Sequence, residues 1–362
     1  MSKISIIYAY RNRDEQRIEN SLLSLAHQNA KDFEVIFVDY GSDKIKAESI
    51  RKVIASYAFA SYYYIAHPGL LWNKSKALNY AAFQAKGEFI FVADVDVCFS
   101  MNAVKTMQNL IDRNKFYLFK LSYLKQEITQ TQIVLGKFTE SQIKHHGDVN
   151  GMILVSKPNF FSVKGYDEFY HFYGSEDVDF YDRLKNSGLD VCQNSDTLFF
   201  HQWHPIYNSI NDTVLEVNPR FFNIKKINQQ HFFFQQKEKA TTPILNQDIT
   251  KNIWKKEDEL SADALTKNFE IANDHAKVWH LFKIVLPSLN DDVISVIVRE
   301  DEYFSSLKYS IKKQIKKSDR VPISMKAVSD MILEEILLNY RHHNYSYKIS
   351  EDLKVIVFIL AK

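Results

Sequence analysis

Apolar and polar positions alternate in two rhythms along the first half of the chain. Short apolar runs are typical of buried strands, whereas apolar residues three or four positions apart are typical of amphipathic helices. Runs of the first kind cover residues 4–8, 33–38, 62–65 and 89–93, and patterns of the second kind cover 14–28, the region around 50–54, and 73–86. This regular alternation predicts an α/β fold: a mostly parallel sheet with helices on both faces.

The pattern changes in the C-terminal part of the chain, where the alternation of strands and helices fades. Polar helical stretches lie over residues 246–283, and one strand-like apolar run covers 293–298. The apolar run 355–360 predicts a buried strand or the end of a helix, because it is far shorter than a bilayer span. We therefore predict an α/β domain over residues 1–215 and a mainly helical C-terminal region, of unknown role, over residues 216–362.

One helical pattern in this region, over residues 304–317, is strongly basic on one side. Its apolar positions are Phe304, Leu307, Ile311 and Ile315, and its lysines are Lys308, Lys312, Lys313, Lys316 and Lys317. Two interpretations remain open. The helix packs its apolar side onto its own domain while the lysines stay in solvent, or it contacts an anionic membrane surface as a peripheral helix.

Composition narrows the class of protein. The 362 residues are 46% hydrophobic and 25% charged, which is typical of a soluble globular protein. A net charge of +2 argues against a nucleic-acid partner held by bulk charge. Cys98 and Cys192 lie in apolar surroundings that favour buried thiols. No signal peptide is visible, so we expect a cytoplasmic protein, with the inner membrane face as a contact surface if the basic helix binds lipid.

Two carboxylates, Asp94 and Asp96, follow the predicted strand 89–93. Burying neighbouring acids is costly unless a cation neutralises them, so the pair suggests a divalent metal bound together with a phosphate. The same triplet also occurs in surface turns, and its meaning therefore depends on its neighbours. Ligands bind at the carboxyl ends of strands in parallel sheets, where Arg11 and Asp39 are also expected.

Polar clusters follow the first two predicted strands as well. Arg11 and Arg13 come after the first strand; they clamp a diphosphate through bidentate hydrogen bonds, or they are exposed surface arginines. Asp39 and Asp43 come after the second strand; they accept hydrogen bonds from a nucleobase or ribose, or they belong to a plain turn.

Two further clusters stand later in the chain. Glu176, Asp177 and Asp179 begin a predicted helix; they stabilise its N-terminus, or one of them takes a proton from an attacking hydroxyl. His201 and His204 follow an apolar strand, and either can complete a metal site that already holds a carboxylate. His201 is preferred because it follows the strand directly, at the edge where the carboxylates gather.

Taken together, these clusters resemble the GT-A glycosyltransferases. Residues 4–100 resemble the nucleotide-binding half of family 2 enzymes, and residues 147–205 resemble the catalytic segment of the β-1,4-galactosyltransferase and chondroitin-polymerase group. The glycine-rich sequence of dinucleotide oxidoreductases and the P-loop sequence are both missing, which argues against those two classes. The ordered co-occurrence of the clusters is far more specific than any single motif.

Individual motifs carry this resemblance. Arg11-Asn12-Arg13 resembles the arginine-asparagine-arginine of the galactosyltransferases, and Asp94-Val95-Asp96 resembles their metal-binding triplet. Gly174-Ser175-Glu176-Asp177 resembles their Gly-Gly-Glu-Asp motif, whose aspartate is the proposed catalytic base. There are three departures. Tyr40 stands where family 2 enzymes commonly have a second acid, Ser175 stands in place of the second glycine, and Tyr173 stands where the galactosyltransferases often have Trp.

The resemblance implies a Rossmann-like GT-A fold and the transfer of a sugar from a nucleotide-sugar, expected to be a UDP-sugar, to a hydroxyl of a glycan or glycoconjugate. Mn²⁺ or Mg²⁺ would be held by Asp96 and by His201 or His204. Asp177 would be the base of an inverting reaction, and the donor-binding residues would be Arg11, Arg13, Asp39, Asp94 and Glu176. Three alternatives remain open: a retaining transferase on the same scaffold, a nucleotidyltransferase, and a non-catalytic glycan-binding or assembly subunit.

Overall fold

The computed structural model describes residues 4–128, 138–147, 151–205, 209–245, 247–249, 255–290, 292–315 and 317–362. The chain divides into two compact units and passes between them more than once. The first unit contains Met1–Ile65, Trp72–Tyr207 and Ile227–Ile253, and the second contains Ala66–Leu71, Asn208–Lys226 and Trp254–Lys362. The functional division at residue 215 stays a prediction.

The first unit is built on one large sheet. Its strands are β1 (Ile4–Tyr10), β2 (Phe33–Asp39), β3 (Ala60–Tyr64), β4 (Phe89–Ala93), β5 (Val97–Phe99), β6 (Lys115–Leu124), β7 (Ile143–Gly147), β8 (Ile153–Ser156) and β9 (Asp190–His201). They lie in the order β3-β2-β1-β4-β8-β6-β9-β5, with β7 paired to β6. Strands β3, β2, β1 and β4 run parallel to one another, and β6 runs parallel to β9. The other pairs are antiparallel. The predicted α/β class is confirmed, with its parallel part concentrated in the N-terminal half.

Helices connect most of these strands, one helix follows the last strand, and several helices begin at polar caps. They are α1 (Glu15–Ala26), α2 (Lys44–Ala55), α3 (Lys74–Gln84), α4 (Ala103–Leu110), α5 (Lys157–Ser162), α6 (Glu176–Asn186) and α7 (Ile224–Lys237). The side chains of Asp14 and Asn73 each accept a hydrogen bond from a backbone N–H in the first turn, at the start of α1 and α3. These caps fix where each helix begins relative to the strand before it.

Aromatic packing fixes the strands that carry the candidate site. The ring of Phe91 on β4 stacks on Phe199 of β9 at 5.1 Å and meets the edges of Phe99 on β5 and Phe119 on β6 at 5.9 and 5.5 Å. Stacked and edge-on aromatic pairs of this kind hold their strands in one arrangement. Cys98 on β5 is buried as expected, in a separate small cluster with Phe200. Cys192 on β9 is partly buried, and both are free thiols.

The second unit contains helices, as predicted, and in addition a four-stranded sheet. Its strands are β10 (Lys267–Ala272), β11 (Val293–Arg299), β12 (Asn344–Ile349) and β13 (Val355–Ala361), in the order β10-β11-β13-β12. Its helices include α8 (His275–His280), α9 (Leu286–Ser288), α10 (Leu307–Gln314) and α11 (Met325–Glu335). Both apolar runs of this region are therefore strands. Within the described residues, the helices all fall short of the length and apolarity that a membrane span requires.

Candidate active site

The pairing of β5 with β9 assembles the first part of the site. β4 ends at Ala93, Asp94 and Asp96 follow it, and the chain continues directly into β5. β5 runs antiparallel to the end of β9, and Val97 lies opposite His201. This register places Asp96 beside a histidine that is more than 100 residues away in sequence. The strand apolarity that buries β4, β5 and β9 thus also sets the position of the polar residues at their ends.

Asp96, His201 and His204 form a compact cluster, called here the metal cluster. The Asp96 Oδ1 atom lies 3.6 Å from His201 Nε2, and its Oδ2 atom lies 3.2 Å from His204 Nε2. One potential ligand atom from each of the three residues lies within 4.8 Å of the others. Three donors that converge in this way from two strand ends and a loop are arranged as a cation site requires.

The charges within the metal cluster are coupled. Burial by itself would raise the pKa of Asp96, but hydrogen bonding to His204 and the charges of His201 and Arg17 outweigh it and leave that pKa lowered. Burial lowers the pKa of His201, whereas the bond to Asp96 raises the pKa of His204. An ionised carboxylate beside a histidine that resists protonation favours a bound cation.

A buried amide, which the sequence analysis did not single out, holds this cluster in place. The Gln202 side chain donates to the backbone carbonyls of Asp96, at 3.2 Å, and Arg17, at 2.8 Å. Its own carbonyl accepts from Asn20 at 2.8 Å, on α1. Successive residues of an extended segment face opposite sides, so Gln202 lies on the side opposite its neighbour His201. A polar residue inside an otherwise aromatic and histidine-rich sequence was the available signal.

Lys74 is the second residue that the sequence analysis missed. It opens α3, and its Nζ atom lies 2.8 Å from Asp94 Oδ1 and 3.8 Å from Glu176 Oε1. Burial lowers the pKa of Lys74, but the neighbouring charges of Asp94 and Glu176 outweigh burial and raise it. Lys74 therefore stays cationic and joins the first acid of the Asp-x-Asp triplet to the acidic start of α6.

The start of α6 has an unusual backbone. Gly174 has φ +98°, and Ser175, the residue before the helix, has φ +74° in the left-handed region. Glycine adopts such angles freely whereas serine pays a steric cost, which gives a conformational reason for the glycine pair of the galactosyltransferase motif. The turn presents Glu176 and Asp177 at the helix N-terminus, where Asp177 Oδ1 accepts from the N–H of Val178 at 2.8 Å. Burial, followed by the charge of Asp177, raises the pKa of Glu176.

Asp179 is separated from its two acidic neighbours. It is buried and accepts hydrogen bonds from Arg183 Nε at 2.9 Å and from Gln235 Nε2 at 2.6 Å. Gln235 also donates to Asp167 Oδ2 at 3.0 Å, and His231 Nε2 lies 2.9 Å from the same oxygen. These five residues, called here the structural cluster, tie α6 and α7 to the loop before α6. Of the three acids that the sequence offered as a base, Asp179 is thus engaged in packing.

Arg11, Arg13 and Asp39 lie at the parallel ends of β1 and β2. Asp39 is fully buried, and its carboxylate accepts from the N–H of Ser42 and from the hydroxyl of Tyr62, both at 2.9 Å. Burial raises the pKa of Asp39 and outweighs these hydrogen bonds, which act to lower it. Arg11 is partly exposed and Arg13 exposed. A direct contact of Asp39 with the donor stays a prediction, since the observed role of its carboxylate is to fix the turn after β2.

Two family descriptions match the chain. Glycosyl transferase family 2 matches residues 5–167, and the N-terminal domain of galactosyltransferase matches residues 137–204. Residues 5–167 thus carry the sequence pattern of a family 2 glycosyltransferase domain. The candidate site residues, from Arg11 to His204, all lie within the two matched ranges.

Individual relatives are more distant. Chondroitin sulfate N-acetylgalactosaminyltransferase 2 of Mus musculus is 27% identical over 218 residues, which are 56% of this chain and 40% of that protein. The chain thus spans less than half the length of this curated relative. Among solved structures, residues 1–349 of S. aureus TarS are 20% identical with a TM-score of 0.42, covering 55% of this chain and 60% of that one. The mannosyltransferase PcManGT from Pyrobaculum calidifontis, in complex with GDP-Man and Mn²⁺, is 17% identical with a TM-score of 0.42, covering 66% and 64%.

Proposed function

We propose that this chain is a metal-dependent, inverting glycosyltransferase that moves a sugar from a UDP-sugar to a hydroxyl of a glycan. The observation that carries the proposal is the convergence of two groups in one unit. The metal cluster lies at one end of the Asp-x-Asp triplet, and the acidic start of α6 is joined to the other end through the Lys74–Asp94 ion pair. A cation site and a carboxylate base side by side fit sugar transfer from a nucleoside diphosphate.

The donor set of the metal cluster fits a divalent cation. One carboxylate and two imidazoles suit Mn²⁺ better than Mg²⁺, which prefers oxygen ligands in near-ideal octahedral geometry. Asp96, His201 and His204 would hold the ion. When bound, it would act as a Lewis acid that stabilises charge on the departing nucleoside diphosphate.

Cationic side chains would add to this stabilisation. Arg11 and Arg13 stand where the parallel strands end and would bind the diphosphate oxygens, since a guanidinium matches phosphate geometry. Asp94 would contact the ribose or sugar side of the donor. Lys74 restricts the Asp94 carboxylate through the 2.8 Å contact, so that it is preorganised before the donor arrives.

Asp177 would be the base. It stands at the mouth of the α6 turn, on a helix N-terminus where backbone N–H groups favour a negative charge. From there it would accept the proton of the acceptor hydroxyl as that oxygen attacks the anomeric carbon. Glu176 lies 3.8 Å from the Lys74 ammonium, which supports a role in binding the donor sugar or the acceptor.

A screen of UDP- and GDP-sugars with Mn²⁺ tests the proposal, and UDP-N-acetylgalactosamine heads it because of the name of the mouse relative. Asp177→Asn should lower the transfer rate about 10²-fold, the usual scale for a general base, with UDP affinity nearly unchanged. Glu176→Gln should mainly weaken sugar or acceptor binding, and Asp182→Asn on the same helix is the matched control. Wild-type transfer by Asp177→Asn would exclude this base, and a product that keeps the donor's anomeric configuration would exclude inversion.

A further inference from the structure

Helix α10 is attached to the second unit through one side. Tyr309 is its buried residue, and the Tyr309 hydroxyl donates to the backbone carbonyl of Arg320 at 3.1 Å. The Tyr309 ring packs edge-on against Phe304 at 5.2 Å, and the Arg320 guanidinium lies 4.5 Å from the centre of the Phe304 ring. Phe304, which the sequence pattern assigned to the apolar side of a longer helix, therefore belongs to the attachment and precedes α10.

The opposite side of α10 is apolar and exposed. Leu307, Ile311 and Ile315 are 83%, 57% and 54% exposed. At about 100° of rotation per residue, these three side chains form one stripe whose centre lies about 160° from Tyr309. The interpretation that this helix packs its apolar side onto its own domain is therefore wrong for these three residues. Burying them needs a surface from outside the described part of the chain.

The surroundings of the stripe are cationic. Residues 306–318 contain five lysines and no acid. Lys308, Lys313 and Lys317 are exposed, and Lys312 is half-buried. The acids that flank the segment are Asp301, which pairs with Arg320 at 2.7 Å, and the exposed Glu302 and Asp319. The five lysines outnumber these flanking acids, so the complement of this side of the helix is a negatively charged surface.

We propose that α10 docks on an anionic phospholipid bilayer surface, with the stripe of Leu307, Ile311 and Ile315 in the headgroup–acyl boundary. On the same helical wheel Lys308 lies about 60° and Lys312 about 100° from the centre of the stripe. Their long stems can carry the ammonium groups to lipid phosphates. A bilayer accommodates a narrow convex stripe flanked by flexible lysines without a preformed groove. This docking is a binding property separate from sugar transfer, and its test does not depend on knowing the donor or the acceptor.

Sedimentation of the full chain with vesicles provides the test. We expect binding to mixed phosphatidylcholine–phosphatidylglycerol vesicles, little binding to phosphatidylcholine alone, and a steep loss of binding as salt screens the charges. Leu307→Ser with Ile311→Ser should weaken binding about tenfold or more. Replacing three lysines together, Lys308→Gln with Lys312→Gln and Lys313→Gln, should weaken binding about a hundredfold, at roughly fivefold per lysine near an anionic surface.

Matched variants on the first unit control for lost charge or apolar area. Ile45→Ser removes an apolar side chain that is 87% exposed, and Lys52→Gln removes an exposed lysine; neither should change vesicle binding. Absence of binding to the anionic vesicles, equal binding to neutral ones, or binding untouched by both sets of α10 variants would each overturn the proposal. So would a concentration-dependent dimer that the Leu307→Ser, Ile311→Ser variant abolishes, because the stripe would then be covered by a second copy.

Discussion

The metal cluster and the structural cluster are two groups of acids and histidines in the same unit, and they differ in how their charge is compensated. In the structural cluster, the Asp179 carboxylate is paired with a buried arginine and an amide, and Asp167 with an amide and a histidine. In the metal cluster, Asp96 faces two histidines, and Arg17 Nη1 is no closer than 4.0 Å.

The comparison teaches that acidic density alone does not identify a site. A buried carboxylate with an arginine partner and satisfied oxygens needs nothing further. Neutral imidazoles, by contrast, offer lone pairs to a cation. A bound cation would therefore satisfy both the Asp96 carboxylate and its two histidines. Substitutions in the metal cluster should therefore affect metal binding and turnover, whereas substitutions in the structural cluster should affect stability.

Asp96→Ala should lower turnover about 10³-fold, because it removes the charged ligand of a cation worth several kcal/mol to the transition state. A chelator should inactivate the wild type reversibly, with Mn²⁺ restoring activity. Calorimetric titration of Mn²⁺ in the presence of UDP measures the affinity directly. Full wild-type activity in excess chelator would contradict the metal-dependent reaction.

Arg183→Met should have the opposite effect: it should lower stability and leave metal binding unchanged. Removing the partner of a buried carboxylate leaves an uncompensated charge, and we expect a loss of about 3–5 kcal/mol in the free energy of unfolding. Urea unfolding measures it, while Mn²⁺ affinity of the folded protein should be unchanged. Arg113→Met, which removes an exposed arginine paired with Glu88 at 3.0 Å, is the control and should change stability little. If Arg183→Met instead abolished Mn²⁺ binding with stability intact, the two clusters would have been assigned the wrong way round.

The structural cluster should also make stability depend on pH. Burial raises the pKa of Asp179 to about 6, and the negative charge of Asp167 adds to this effect. The positive charges of Arg183 and His231 act in the opposite direction but do not outweigh it. The folded state then holds a proton that the unfolded chain releases near pH 4, so stability should fall as pH rises from about 4 to 6, by about 3 kcal/mol. Urea unfolding of the wild type and Asp179→Asn over this window measures the difference. Parallel pH curves for the two proteins would contradict the assignment.

His201→Ala and His204→Ala should each weaken Mn²⁺ binding about tenfold to a hundredfold, a smaller effect than loss of the carboxylate because each removes a neutral ligand. Both imidazoles lie within 4 Å of Asp96. The preference for His201 therefore becomes a prediction that His201→Ala weakens Mn²⁺ binding more than His204→Ala does. Titration of Mn²⁺ with UDP present separates the two, and the exposed His27→Ala is the control. If neither substitution weakened Mn²⁺ binding, the histidine assignment would be wrong.

Much of the first unit could be predicted from the sequence. Strands β1, β2, β3 and β4 and the helices between them are local patterns, and each predicted range overlaps the observed one. The second unit was harder to predict. The runs 293–298 and 355–360 were visible as apolar, but their antiparallel pairing as β11 and β13 joins residues about 60 apart, and no local pattern encodes it.

The site divides in the same way. Residue types at predicted strand ends singled out Asp94, Asp96, His201 and His204, and the resemblance to the galactosyltransferase motif singled out Asp177 at a predicted helix start. Lys74 and Gln202 were missed because their importance lies in partners that are distant in sequence. Glu176, Asp177 and Asp179 looked equivalent as a run of acids, and only the position of Arg183 and Gln235 against Asp179 separated them.

The sequence by itself determined the α/β order of the first unit, the residue types of the site and the apolar and basic sides of α10. Only the tertiary structure decided that Val97 lies opposite His201, that Lys74 joins Asp94 to Glu176, and that the Leu307 stripe is exposed. The physical reason is that strand and helix propensities act over a few residues. Charge compensation and burial, in contrast, depend on which distant groups the packing brings within a few ångströms.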